Sequence, residues 1–255
     1  MRLRVLSYNI HKGFTAGRSR YVLDRMKRSI EDSRADLVLL QEVLGRHAKH
    51  ASRISDWPSS SQFEFLADRV WPHFAYGKNV VYTDGHHGNA ILSKYPITFW
   101  ENIDVSTYRL EQRGILHAAI DVPTCKEPVH AICLHFGLFE RHRGAQIAML
   151  AERIRRKIPA AAALVVGGDF NDWREQAGLD SDTTLGLQEV FFEMTGRHAR
   201  TFPAFAPFLP LDRIYSRGFV PVSAEVLHGA HWDDLSDHAP ILVEIEIESG
   251  KIRSL

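Results

Sequence analysis

The sequence predicts an α/β protein, a four-layer αββα sandwich in which two packed mixed β-sheets are flanked by helices. Three observations lead there. Short strand-like runs bounded by Gly, Pro or Asp recur along the chain, and helical periodicity is confined to a few segments. A length of 255 residues with 45% hydrophobic content is enough for one well-buried domain. A single doubly wound sheet would alternate strand and helix more regularly than this.

The elements follow in order. Leu3, Val5 and Ser7 alternate with Arg2, Arg4 and Leu6 as a half-buried strand that runs into Asn9. Tyr21 to Glu31 places Val22, Met26 and Ile30 at helical spacing, and Leu37 to Leu40 is a continuous apolar run that reads as a buried strand. Further strands are expected near 75–82, 89–94, 97–105, 114–122, 128–134 and 163–167. Arg141 to Ile158 is the longest expected helix: Ile147, Leu150, Ile154 and Ile158 form one apolar stripe, and Pro159 marks its limit. Strands at 211–216, 221–227 and 239–247 close the chain. Pro203, Pro207 and Pro210 make 202–210 a loop, because proline lacks the N–H that regular pairing needs. One domain over 1–248 with a short tail at 249–255 is the expected organisation, since no repeat and no low-complexity linker divides the chain.

Composition narrows the function classes. Lys+Arg and Asp+Glu are equal at 31, so no global positive field attracts nucleic acid through counterion release. No run approaches the roughly 18 apolar residues of a membrane span. The N-terminus enters a strand pattern directly, without the apolar core and cleavage site of a secretory signal. Cys125 and Cys133 show neither CxxC nor zinc-site spacing, and two reduced thiols fit a reducing compartment. A cytoplasmic location is the expectation. Most of the 14 histidines read as surface or supporting residues.

Six polar motifs stand where apolar runs give way: Ser-Tyr-Asn-Ile-His (7–11), Leu-Leu-Gln-Glu-Val (39–43), Gly-Asn-Ala-Ile-Leu-Ser (88–93), Leu-His-Phe-Gly-Leu (134–138), Gly-Gly-Asp-Phe-Asn (167–171) and Ser-Asp-His-Ala-Pro (236–240). Gln-Arg-Gly (112–114) and Leu-Asp-Arg-Ile-Tyr (211–215) fall between them. Strand ends are where open α/β folds place their sites. Glu42, expected at the end of a buried strand, offers a hard oxygen that suits magnesium, with the neutral oxygen of Asn9 beside it. Taken alone, Glu42 would read as a surface residue. Asp169 and Asn171 can point the same way past a strand end, though an Asx turn or helix cap would use the same residue types.

In this order, from Asn9 to Pro240, the motifs resemble the endonuclease/exonuclease/phosphatase superfamily, which includes deoxyribonucleases, abasic-site endonucleases, sphingomyelinases and inositol-polyphosphate phosphatases. The resemblance implies the four-layer fold, a divalent metal (Mg2+, with Mn2+ in its place) and hydrolysis of a phosphate ester. It implies that Asp212 pairs with His238, fixing its tautomer for a role as general base, while Asp237 approaches the metal or its water shell. A satisfied core histidine is the alternative for His238. Asp169 would orient water or a partner histidine, and in some members the corresponding Asp is itself the base. Asn171 would donate to a phosphate oxygen. His135 sits in a segment similar to the Thr-His-Leu of the deoxyribonuclease, sphingomyelinase and phosphatase branches rather than the abasic-site branch, adding a second imidazole. Arg113 would bind phosphate as a planar donor, or be a surface residue, and Asn89 is a further phosphate-side candidate.

The expected substrate is a phosphodiester, lipid-type or small-molecule. A nuclease acting on DNA or RNA is the alternative, disfavoured by balanced charge and short inter-motif loops. An inactive binding module of the same fold is the second alternative. Arg141, Arg143, Arg153, Arg155, Arg156 and Lys157 read as the solvated face of the long helix. Phe202, Phe205 and Phe208 would put aromatic groups beside the site, to receive part of a substrate or to plug the core.

Overall fold

The computed structural model describes residues 1–109, 111–123, 125–175, 178–179, 182–229 and 231–251. Along the chain run β1 (Arg2–Asn9), α1 (Leu23–Asp32), β2 (Leu37–His47), α2 (Ala48–Ala51), α3 (Gln62–Ala67), β3 (His73–Tyr82), β4 (Gly85–Ser93) and β5 (Ile97–Asp104). Then follow β6 (Gly114–Ile120), β7 (Val129–His135), α4 (Glu140–Lys157), β8 (Leu164–Asp169), β9 (Gln188–Glu189), α5 (Val190–Thr195), β10 (Asp212–Arg217), β11 (Phe219–Val226) and β12 (Ile241–Ile247). They make two six-stranded sheets, ordered β11-β12-β1-β2-β4-β3 and β5-β6-β7-β8-β10-β9. Each sheet is built around one parallel pair, β1 with β2 and β7 with β8.

Strand alternation explains the layers. Successive side chains point to opposite faces, so a strand buried on both faces supplies two cores. Leu3, Val5 and Leu39 of the first sheet meet Leu116, Ala131 and Val165 of the second between the sheets. On the outer face of the first sheet, Leu6, Val38 and Leu40 lie under Met26 and Ile30 of α1 and Leu66 of α3. On the outer face of the second, Ile132, Leu134 and Val166 lie under Leu150 and Ile154 of α4. The result is the αββα sandwich, with α5 packed against β10 and β11.

The inner-face rows are Leu3-Val5-Ser7-Asn9, Ala131-Cys133-His135 and Val165-Gly167-Asp169. Each turns polar at the C-terminal end of a parallel strand. The polar ends therefore gather at one mouth of the space between the sheets.

Several expectations change. The strand read over Leu37 to Leu40 continues to His47, so Glu42 lies within β2 rather than at its end. Helices α2, α3 and α5 were not anticipated. The start of α3 carries a legible capping box, in which Ser61 caps Glu64 and the Glu64 carboxylate accepts the Ser61 N–H at 2.9 Å. Arg143, expected on a solvated helix face, is 1% exposed. Of the tail at 249–255, Ser249–Lys251 form a 3-10 turn and 252–255 lie outside the described residues. Among the described residues, no helix is long and apolar enough to cross a membrane.

Beneath α4, His117 Nε2 lies 2.9 Å from His130 Nδ1, and Arg153 reaches His117 Nδ1 at 3.0 Å. Burial first, then His130 and Arg153, push the His117 imidazole from 6.5 down to about 3. His117 is neutral when folded, whereas the unfolded chain protonates it below about 6.5, so its contribution is full above that pH and is lost as pH falls toward 3. Thermal melts at pH 7 and pH 5 should show wild type losing more Tm on acidification than His117→Gln. Equal losses would contradict this account.

Candidate active site at the mouth between the sheets

Register builds one half of the site. His135 is paired with Asp169 across β7 and β8, and Asp169 with Asp212 across β8 and β10. Residues directly opposite on neighbouring strands share a face, so the three side chains form one row. From the other sheet, the Asn9 Nδ2 amide donates to Asp169 Oδ2 at 3.1 Å. The second carboxylate oxygen, Oδ1, accepts the Asn171 N–H at 2.9 Å. His135 Nε2 and His238 Nε2 stand 3.4 and 3.7 Å from Asp169 Oδ2. Asp212 Oδ2 accepts from His238 Nδ1 at 2.7 Å and from the Thr201 hydroxyl at 2.6 Å. Phe202 packs on the His238 ring with centroids 5.1 Å apart.

The other half comes from a β-bulge. Leu40 pairs with Ala90 but Val43 with Gly88, so β2 carries one residue more than β4 over this stretch. Glu42 takes a left-handed conformation there, φ 56, and its carboxylate meets the Lys12 ammonium. His11 Nδ1 lies 2.9 Å from Asp237 Oδ2. Ser236 Oγ donates to the Asn9 carbonyl at 2.7 Å, tying the 236–238 segment to the end of β1. His11, Lys12 and Asn171 also have positive φ, at 45, 60 and 51. Each such non-glycine residue stores roughly 1–3 kcal/mol, and here four of them ring one mouth, the pattern of a preorganised site.

Electrostatics divides the groups. Burial pushes the Asp169 carboxyl up and Asp212 adds to this, while His238 opposes; the net direction is upward. Burial lowers His238, but Asp212 and Asp169 outweigh it, so this imidazole is raised and carries charge. His135 is lowered well below its ordinary value, by burial and then by Arg113, and stays neutral. Burial raises Glu42, yet the charge and hydrogen bond of Lys12 bring it well below the usual carboxylate range. Asp237 is raised by burial and lowered more by its His11 hydrogen bond, among other groups.

The remaining expected residues surround this centre. Arg113 Nε donates to the Phe136 carbonyl at 3.0 Å and its Nη2 to Glu111 at 3.3 Å. Asn171 Nδ2 donates to the same Phe136 carbonyl at 3.0 Å. Asn89 Nδ2 donates to the Gly114 carbonyl at 2.9 Å, joining the two sheets.

Two carboxylate groupings could hold a cation. Glu42 already meets a positive charge in Lys12 and interacts with the Asp237 carboxylate, and with the Asn9 side-chain oxygen these would make an oxygen-rich set of the kind magnesium takes. Asp169, Asp212 and His238 also have ligand atoms within 4.8 Å of one another. There, however, His238 is committed to Asp212 by its hydrogen bond, and its positive charge already balances both carboxylates.

Residues 6–238 match the Endonuclease/Exonuclease/phosphatase family. The chain belongs to the endonuclease/exonuclease/phosphatase family. It is 46% identical over 244 residues to the Escherichia coli strain K12 protein YbhP, named as uncharacterized, covering 96% of both chains. Among solved structures it resembles the mannosyl-6-phosphatase of Bacteroides thetaiotaomicron, with TM-score 0.71 and 17% identity over 95% of this chain and 99% of that one. It likewise resembles D. rerio TDP2 complexed with a single-strand DNA product, with TM-score 0.69 and 19% identity over 96% and 99%. At such identities these two likenesses speak for the fold alone.

In this family member, sequence reasoning assigned no role to His11, Lys12, Thr201 or Ser236. His11 and Ser236 lie inside quoted motifs and Lys12 adjoins one, whereas Thr201 carried no local signal. It also missed the buried charge cluster beneath Asn171, where Asp172 takes Arg213 Nη2 at 2.9 Å and faces Arg143 at 3.7 Å. Arg213→Met removes the closer cation from a fully buried carboxylate and should cost about 3–5 kcal/mol. Urea denaturation reads this directly, and a loss under about 1 kcal/mol would show that Arg143 alone satisfies Asp172.

Proposed function

We propose that this protein is a divalent-metal-dependent phosphodiesterase that cleaves a small or lipid-type phosphate ester by activated water. The observation that carries the reading is geometric: His135 and His238 close on the buried Asp169 carboxylate at 3.4 and 3.7 Å while Asp212 holds His238 at 2.7 Å, and these surroundings shift Asp169 and His238 upward and His135 downward. Environments that push titratable groups apart are what acid–base assignment requires. The sequence reading preferred His238 as general base and left Asp169 open. The electrostatics favour Asp169, because His238 between two carboxylates holds its proton, while Asp169 has a carboxyl shifted toward neutrality and two hydrogen-bond donors to orient it.

In this scheme Asp169 takes the proton of the attacking water. His238, fixed by Asp212 and Thr201, presents a charged Nε2–H to a phosphoryl oxygen. His135, being neutral, offers only a hydrogen bond to the same oxygens, the leaving oxygen takes its proton from charged His238 or from solvent, and Arg113 contributes positive charge at the rim. Asn171 and Asn89 act through the backbone they hold. Glu42 and Asp237 with Asn9 would hold magnesium, or manganese, which supplies Lewis-acid stabilisation of developing negative charge when bound. A cytosolic setting belongs to this reading, in keeping with a chain that carries only two cysteines, both buried.

Hydrolysis of bis-p-nitrophenyl phosphate with magnesium tests the proposal. Asp169→Asn and His238→Ala should each lower kcat by about 10²–10⁴. Glu42→Gln should raise the magnesium needed for half-maximal rate by about tenfold or more. Undiminished turnover in excess chelator, or full activity in Asp169→Asn, would overturn the scheme.

A further inference from the structure

Large apolar side chains stand in solvent on the loops that frame the mouth. They are Tyr108, Leu138, Phe139, Trp173, Phe205 and Phe208, between 42% and 74% exposed. Each loop is the direct continuation of a site residue. Leu138 and Phe139 follow His135, Trp173 follows Asn171, Phe205 and Phe208 precede Asp212, and Tyr108 precedes Arg113. The loops are also fastened to one another. Leu138 N–H donates to Glu111 at 2.9 Å, Phe170 N–H to the Leu211 carbonyl at 2.8 Å, and Ala204 N–H to the Asp237 carbonyl at 2.8 Å. The Arg143 guanidinium lies over the Trp173 ring at 4.9 Å. The proline-rich loop divides its aromatics: Phe202 packs on His238, which accounts for core plugging, while Phe205 and Phe208 point outward and take no part in it.

Six of the fourteen exposed large hydrophobics among the described residues stand on loops that continue site residues, which calls for an occupant that arrives with the ester. Tyr108 and Phe139 line one open depression with Arg141, and the others rise from separate loops, so they suit a surface more than a single buried chain. Charge on the same loops has a sign. Glu111 and Glu140 are paired with Arg113 and Arg174, and on the described parts of these loops the exposed Arg109, Arg141 and Arg200 outnumber the further exposed carboxylate Glu175. Apolar groups that enter the acyl boundary, with cations at the level of the phosphates, are the features of an interfacial protein contact with anionic lipid. A single-stranded nucleic acid would instead require a continuous basic groove tracking its backbone, whereas the exposed cations here stand on separate loops.

We propose that this rim docks on the surface of an anionic phospholipid bilayer and delivers membrane-held phosphodiesters to the mouth, an inference that rests on the phosphodiesterase reading for its second half only. Co-sedimentation of the full chain with vesicles of phosphatidylcholine and phosphatidylglycerol tests it. Wild type should pellet with these vesicles and less with phosphatidylcholine alone. The double substitution Phe205→Asp with Phe208→Asp should weaken vesicle binding about tenfold or more, while circular-dichroism melting and turnover of soluble bis-p-nitrophenyl phosphate stay close to wild type. Arg141→Glu should reduce the preference for the anionic lipid. Wild type left in the supernatant, or a double variant that binds as wild type does, overturns the proposal. So does a double variant that loses binding to a single-stranded oligonucleotide but keeps binding to vesicles. The two readings fail separately: ester turnover without vesicle binding removes the docking surface alone, and vesicle binding without turnover of any ester removes the phosphodiesterase alone.

Discussion

The hydrogen bond from the Asn9 amide to the Asp169 carboxylate, 3.1 Å across the space between the sheets, is the contact on which the site depends. Asp169 is 2% exposed, and a carboxylate so removed from water is costly unless donors replace its hydration. Asn9 supplies one donor from the first sheet, and the Asn171 backbone supplies another from beyond β8. Both sheets must therefore be packed at their proper separation before the carboxylate is satisfied. The inter-sheet core of Leu3, Val5, Leu39, Ala131 and Val165 sets that separation, so apolar packing positions the polar groups.

Around this contact the charges balance in pairs drawn from different parts of the chain. Lys12 answers Glu42 and His238 answers both Asp212 and Asp169, while His11 and Asp237 are held together by a hydrogen bond. Such a network is favourable only when its members are satisfied together, and the left-handed turns at His11, Lys12, Glu42 and Asn171 are what bring them into range. Below it, Asp172 between Arg213 and Arg143 anchors the strained 169–172 segment to β10 and to α4. The strain at the mouth is offset by the packing of the sandwich beneath.

How much of this was readable in the residues depends on how local each cause is. The inner-face row Leu3-Val5-Ser7-Asn9 announces both the strand and the polar end, because alternation is a nearest-neighbour property. The same logic reached His135 and Asp169. It failed at Glu42, where a bulge opposite β4 breaks the alternation and no residue in β2 advertises it. It failed at Arg143 too, since a basic residue on a helix is normally solvated and its buried partner Asp172 is remote in sequence. Thr201 enters the site only through its contact with Asp212 across the proline-rich loop. The proposed choice of Asp169 over His238 as base was likewise beyond composition, for it turns on His238 being set between two buried carboxylates.

The central claim is that residues distant in the chain converge on one cation and one phosphate at the mouth between the sheets. Diffraction from crystals soaked in manganese chloride, collected for anomalous signal, tests this most directly. The account predicts a peak about 2–2.5 Å from the Glu42 carboxylate, with the Lys12 ammonium withdrawn from it and Asp237 and Asn9 turned toward the ion. A peak held between Asp169 and Asp212 in place of the His238 contact, or none anywhere at the mouth, would contradict it.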